Sequence, residues 1–103
     1  MTRVQYTEEE REIFKRISKN FSHYRIYNNA REELKNENGI ITIEKLAEEI
    51  GVSVSLLANM NAKNVEQTIS IVVLNKIAKA LNVALFCFFQ EKQNKIPPAY
   101  NEE

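Results

Sequence analysis

The chain has 103 residues, 44% apolar and 27% charged, which is material for one domain of ordinary globular composition and excludes a two-domain reading. Fourteen basic residues balance fourteen acidic ones, so the chain lacks the cationic excess that drives strong nonspecific attraction to nucleic acid through counterion release. Two glycines and two prolines leave little for strands joined by tight turns, and the lone Cys87 excludes an intrachain disulfide and a cysteine-based zinc site. The single histidine, His23, reads as a surface or hydrogen-bonded residue. Neither a metal nor a cofactor is expected. No apolar run approaches the roughly 20 residues that cross a bilayer, and the first residues lead into acids rather than a signal core. A cytoplasmic protein without membrane contact is expected.

Thr7-Glu8-Glu9-Glu10 opens the first helix, because Thr7 can accept from the amide of Glu10 while the Glu10 carboxylate reaches back to the amide of Thr7. Ile13, Phe14, Ile17 and Phe21 then lay an apolar stripe along it at spacings of three and four. A polar break at Asn20 or Ser22 is expected to separate this N-terminal helix, residues 1–21, from the main domain at 22–90, although a continuous helix through Ser22 stays open. The second helix carries Tyr24, Tyr27, Ala30, Arg31 and Leu34 and ends at Asn36-Glu37-Asn38-Gly39. Thr42 caps the third, with Leu46, Ala47 and Ile50 inward and Gly51 as its stop. Ser53 caps the fourth, with Leu57 and Met60 inward. Ser70 caps the fifth, whose inner face is Val73, Leu74, Ile77, Ala78 and Leu81, and Asn82 or Val83 closes it. A short apolar helix follows from Ala84 to Gln90, and residues 91–103 are expected to form a flexible tail.

The informative stretch is Leu46-Ala47-Glu48-Glu49-Ile50-Gly51-Val52-Ser53, followed by Leu57 and Met60. Two short helices that cross steeply through a tight turn need a small residue where they touch, a turn residue free of Cβ strain, and apolar residues facing back from the second helix. Ala47, Gly51, Leu57 and Met60 meet those needs. Charge is placed unevenly around this motif. Residues 11–35 carry about +4, whereas residues 42–66 carry about −2.

Residues 24 to 90 resemble the lambda-repressor-like (Xre/Cro-type) helix-turn-helix family. Besides the motif, the segment from Ser70 to Val83 is similar to that family's fourth helix and Ala84-Leu85-Phe86-Cys87-Phe88-Phe89 to its short fifth. The resemblance implies an all-α fold, a five-helix repressor-like bundle with one additional N-terminal helix. It also implies a bacterial or phage transcriptional regulator that binds double-stranded DNA sequence-specifically, as a homodimer with the second motif helix in the major groove. The DNA-contacting residues so implied are Thr42, Ser53, Val54, Ser55, Asn59, Asn61 and Lys63. Ser55 and Asn59 would lie at base edges, and Thr42, Asn61 and Lys63 near phosphates. The chain departs from the family pattern at Ile43, where a phosphate-binding glutamine is common, at Lys63 in place of a glycine, and at Ile69 in place of a proline.

Apolar residues also stand where such a bundle is polar, notably Val72, Phe86 and Cys87. An exposed patch of this kind needs a cover, supplied either by the N-terminal helix or by a second copy of the chain. The expected dimer interface uses Ile69, Val72, Phe86 and Phe89, with the N-terminal helix packed over or across it. The competing reading is a protein-interaction module that keeps the fold and offers Val54, Leu56 and Ala58 as an apolar contact surface to another protein. An enzyme is disfavoured, since no paired base and nucleophile, ligand cluster or phosphate-binding glycine loop is present.

Overall fold

The computed structural model describes residues 6–60 and 70–100. Among them are four α-helices and two 3-10 segments, with no strand. The α-helices are α1 (Glu8–Tyr24), α2 (Ile43–Ile50), α3 (Val54–Met60) and α4 (Ile71–Leu81); the 3-10 segments are Glu32–Leu34 and Leu85–Phe89.

Each α-helix starts where a side-chain oxygen can satisfy an amide that has no partner inside the helix. Thr7 and Glu10 form the reciprocal box, at 3.2 Å and 2.8 Å. Thr42 accepts from the Lys45 amide at 3.2 Å, Ser53 from Leu56 at 3.2 Å and Ser70 from Val73 at 3.1 Å. Gly51 and Asn82 end α2 and α4 in the left-handed conformation.

The expected break near Asn20 does not occur, and the boundary drawn between residues 21 and 22 falls inside α1. Asn20 would disrupt a helix if its side chain competed for its own backbone. Instead it is fully buried, and its amide donates to the carbonyls of Phe88 and Gln90, both at 2.8 Å, while its Oδ1 accepts from Gln93 Nε2 at 2.8 Å. The helix stops later, where Asn28 Nδ2 takes up the carbonyls of Tyr24 and Arg25 at 3.0 Å each. Of the helix expected across Tyr24 to Leu34, Tyr24 ends α1 and the rest is an irregular segment with one 3-10 turn, and the last short helix is 3-10. Among the described residues no additional helix stands outside the bundle: α1 is itself the wall that packs on the Leu85–Phe89 segment.

One core joins all the elements, centred on Phe21, Tyr24, Ile41, Leu46, Leu57, Leu74, Ile77, Leu81, Val83 and Phe88. Tyr24 and Phe88 meet edge to face with centroids 5.6 Å apart, an arrangement that suits the ring quadrupoles. Cys87, expected at the surface, is fully buried here. A 3-10 segment turns every third side chain to one side, and Ala84 and Cys87, three apart, both point inward, leaving Phe86 and Phe89 outward.

Residues 91–100, expected as a flexible tail, lie along the body. The Ala84 amide donates to Pro98 O at 2.9 Å and the Asn94 amide to Tyr24 Oη at 3.0 Å. His23 Nε2 meets Asn94 O at 2.9 Å, and Tyr100 Oη donates to Asn75 Oδ1 at 3.0 Å. These bonds satisfy backbone groups that would otherwise need water, which is why a segment with little to bury stays attached.

Candidate nucleic-acid interface

The crossing of α2 and α3 is built around one carbonyl. Ala47 O accepts from Gly51 N at 2.9 Å and from Val52 N at 3.1 Å, closing α2 and reversing the chain within three residues. Gly51 has φ +74°, and a Cβ built there would meet nothing within 4 Å. Its glycine is thus required by backbone conformation and not by crowding. Leu46 and Ala47 on α2 and Leu57 and Met60 on α3 are buried, so the two helices share an apolar seam and α3 is pinned by one face.

The opposite face of α3 is open. Val54, Ser55, Leu56, Ala58 and Asn59 are all exposed, with Val54 at 43% and Leu56 at 36%. Val54 and Ala58, like Ser55 and Asn59, are four apart, so the two pairs form adjacent rows on one side of the helix. This strip combines methyl groups with one hydroxyl and one carboxamide. Ser53 and Thr42, also expected at the interface, use their hydroxyl oxygens as helix caps. Asn61 and Lys63 lie outside the described residues.

Two arginines missed by sequence reasoning brace the site. Arg25 Nη1 donates to Ile41 O at 3.4 Å and the Ile41 amide to Arg25 O at 3.0 Å, which closes the loop leading into α2. Its guanidinium stands over the Phe21 ring, 5.5 Å from the centroid, with Nε buried and lacking a hydrogen-bond partner. Burial pulls the Arg25 guanidinium below its ordinary value, and the charge of Glu44 opposes that shift. Arg31 pairs with Glu49 at the far end of α2 and lies 3.6 Å from Glu33. Neither contact could be found from spacing, because both arginines sit in the irregular segment and reach a different element. At the end of α3, Ser18 Oγ of α1 hydrogen-bonds Met60 O.

Of the expected dimer-interface residues, Val72 is 61% exposed, Phe86 55% and Phe89 39%. Ile69 lies outside the described residues. The α1 stripe leaves these side chains exposed: Ile17 and Phe21 are buried in the core, Phe14 stacks edge-on with Tyr6, and Ile13 is exposed.

No curated protein and no solved structure shows a significant match to the chain. Residues 32–85 match the family model of the Cro/C1-type helix-turn-helix DNA-binding domain. That span contains α2, the Gly51 turn, α3 and α4, the elements whose geometry has just been described, and the chain belongs to the Cro/C1-type helix-turn-helix family.

Proposed function

We propose that the chain is a sequence-specific DNA-binding transcriptional regulator of the repressor type, acting without catalysis as a homodimer on a two-fold site. The observation that carries this reading is the exposed strip Val54-Ser55-Ala58-Asn59, held away from the body by the buried Leu57 and Met60. Asn59 has the donor and acceptor pair that matches adenine N6 and N7, Ser55 can bond to several bases, and the methyl groups of Val54 and Ala58 suit the thymine methyl. Such a strip favours A·T pairs over G·C pairs. Thr42, Ser53, Asn61 and Lys63 are assigned to phosphates and the strip's flanks, and Val72, Phe86, Phe89 and Ile69 to the dimer contact.

Fluorescence anisotropy against random and A·T-rich duplexes tests the reading. Binding should be weak on random duplex, tighter on A·T-rich sites, and steeply reduced by salt. Absence of binding to every duplex at about 50 mM salt, where phosphate attraction is strong, rejects it.

A second reading has its own support. Val54 and Leu56 are large apolar side chains exposed on the two flanks of α3, and α2 carries Glu44, Glu48 and Glu49 against Lys45. A surface of that composition suits a protein partner better than a phosphate backbone. Replacing Leu56, which lies outside the strip, with serine discriminates: a regulator keeps its salt-dependent DNA affinity, while an interaction module loses affinity for its partner.

A further inference from the structure

At the end of α2 remote from Thr42, a groove of about 530 Å³ opens between the 29–34 segment, Glu49 and Ile50, and the second half of α4. Its volume falls in the range of small-molecule sites. Its lining is uneven in charge: Arg31, Lys76 and Lys79 come from two separate elements, against Glu49, with Glu33 also 3.6 Å from Arg31. Leu34, Ile50 and Ala80 supply apolar floor between them.

Two features distinguish this groove from a solvated basic surface. The rim is fixed by reciprocal bonds: Asn29 Nδ2 donates to Asn82 O at 3.1 Å, Asn82 Nδ2 to Asn29 O at 3.2 Å, and the Asn29 amide to Leu81 O at 3.2 Å. A rim held in this way is preorganised and loses little freedom when a ligand enters. Finally, Glu49 is tied to Arg31, so a competing anion has a defined place to act, the guanidinium that now holds the Glu49 carboxylate.

We propose that this groove binds a small organic anion, a carboxylate or phosphate ester with a short apolar part, whose charge lies between Arg31, Lys76 and Lys79 and whose apolar part rests on Leu34, Ile50 and Ala80. The wall residues Glu49 and Ile50 immediately precede Gly51, the pivot of the α2–α3 crossing. Occupancy therefore bears on the angle at which α3 is presented, and in that respect alone the inference rests on the DNA-binding reading. A small anion is favoured over a duplex because Leu34, Ile50 and Ala80 give the groove an apolar floor, which suits a ligand with an apolar part.

The test is an NMR titration of the full chain, without DNA, using phenyl phosphate, hexanoate and inorganic phosphate as probes and sodium chloride at matched ionic strength as the control. The expected result is saturable shifts of the Ala30, Leu34, Ile50 and Ala80 amides with phenyl phosphate or hexanoate, half-complete at or below about 1 mM, a weak but specific affinity. Lys76→Gln with Lys79→Gln should weaken that binding about tenfold or more, from loss of charge-assisted bonds, while the unliganded variant still melts cooperatively. Identical shifts with sodium chloride, or no saturation with any probe, overturns the proposal. A double variant that binds the probes normally also overturns it. Loss of random-duplex affinity in the variant, together with no saturation by any probe in the parent chain, assigns the groove to phosphate backbone instead. Because the titration contains no DNA, a failure of DNA binding leaves its outcome readable.

Discussion

Asn20 and Asn59 show how differently one side-chain type can act at two places. Asn59 is exposed on α3 and its proposed role is recognition, so Asn59→Ala should cost about 1–3 kcal/mol on a specific site and less on random duplex, measured by anisotropy on both. Asn20 is buried with its three partners satisfied. Asn20→Leu should destabilise the fold by about 2–3 kcal/mol, because it strands the Phe88 and Gln90 carbonyls; urea melts should show a lower midpoint at constant slope. Asn20→Asp should be worse at pH 7 and recover on acidification toward pH 5. A carboxylate facing two carbonyls is held protonated in the fold, so the native state binds the proton more tightly and stability rises as pH falls. Cys87 and Tyr24 give a linkage at the other end of the scale. Burial raises both above their ordinary values, so the native state keeps these protons after the unfolded chain has released them. Stability should be level below the ordinary thiol value near 9 and decline as pH rises beyond it. Melting temperatures from pH 7 to 10 check this, and Cys87→Ala should make the decline shallower.

For the elements, capping chemistry was fully legible, since Thr7, Thr42, Ser53 and Ser70 each act within three residues of themselves. The α2–turn–α3 motif was legible for the same reason: Ala47, Gly51, Leu57 and Met60 form a local pattern. What local pattern could not show was the course of residues 20–34 and 91–100. Asn20 is a helix breaker by propensity and a helix member by tertiary contact, and the partners that decide this are about 70 residues away. The motif itself is open to test. Gly51→Ala should cost about 1–2 kcal/mol, all of it from the left-handed φ, because no atom stands within 4 Å of the added carbon. Ala47→Leu, at a buried contact, should cost about 1–3 kcal/mol by overpacking. Thermal melts of the two variants separate backbone strain from crowding, and an unchanged melting temperature for Ala47→Leu would contradict the crossing described.

For the whole molecule, the balance of charges and the exposed apolar side chains Val72, Phe86 and Phe89 bear on the proposed dimer together. A chain with zero net charge has little repulsion to keep copies apart, and an isologous contact buries the same patch twice. Light scattering at about 100 µM should therefore give a dimer, a concentration well above the dissociation constant of a specific interface. Phe86→Glu should give folded monomers, because the side chain is 55% exposed within one chain and is not one of the buried core residues. Unfolding of that variant, or a monomeric parent chain, would rule out the dimer.

The clasp between α1 and residues 88–98 sets an order of events in synthesis. Asn20, His23, Tyr24 and Asn29 each bond to groups about 70 positions later in the chain, so α1 cannot settle until those groups have been made and have left the ribosome. At roughly 5–20 residues per second, the first helix waits several seconds with its apolar stripe uncovered. Most helical bundles fold quickly because their contacts are local. This one closes its ends last, and a nascent chain halted before Pro98 should still leave α1 open to protease.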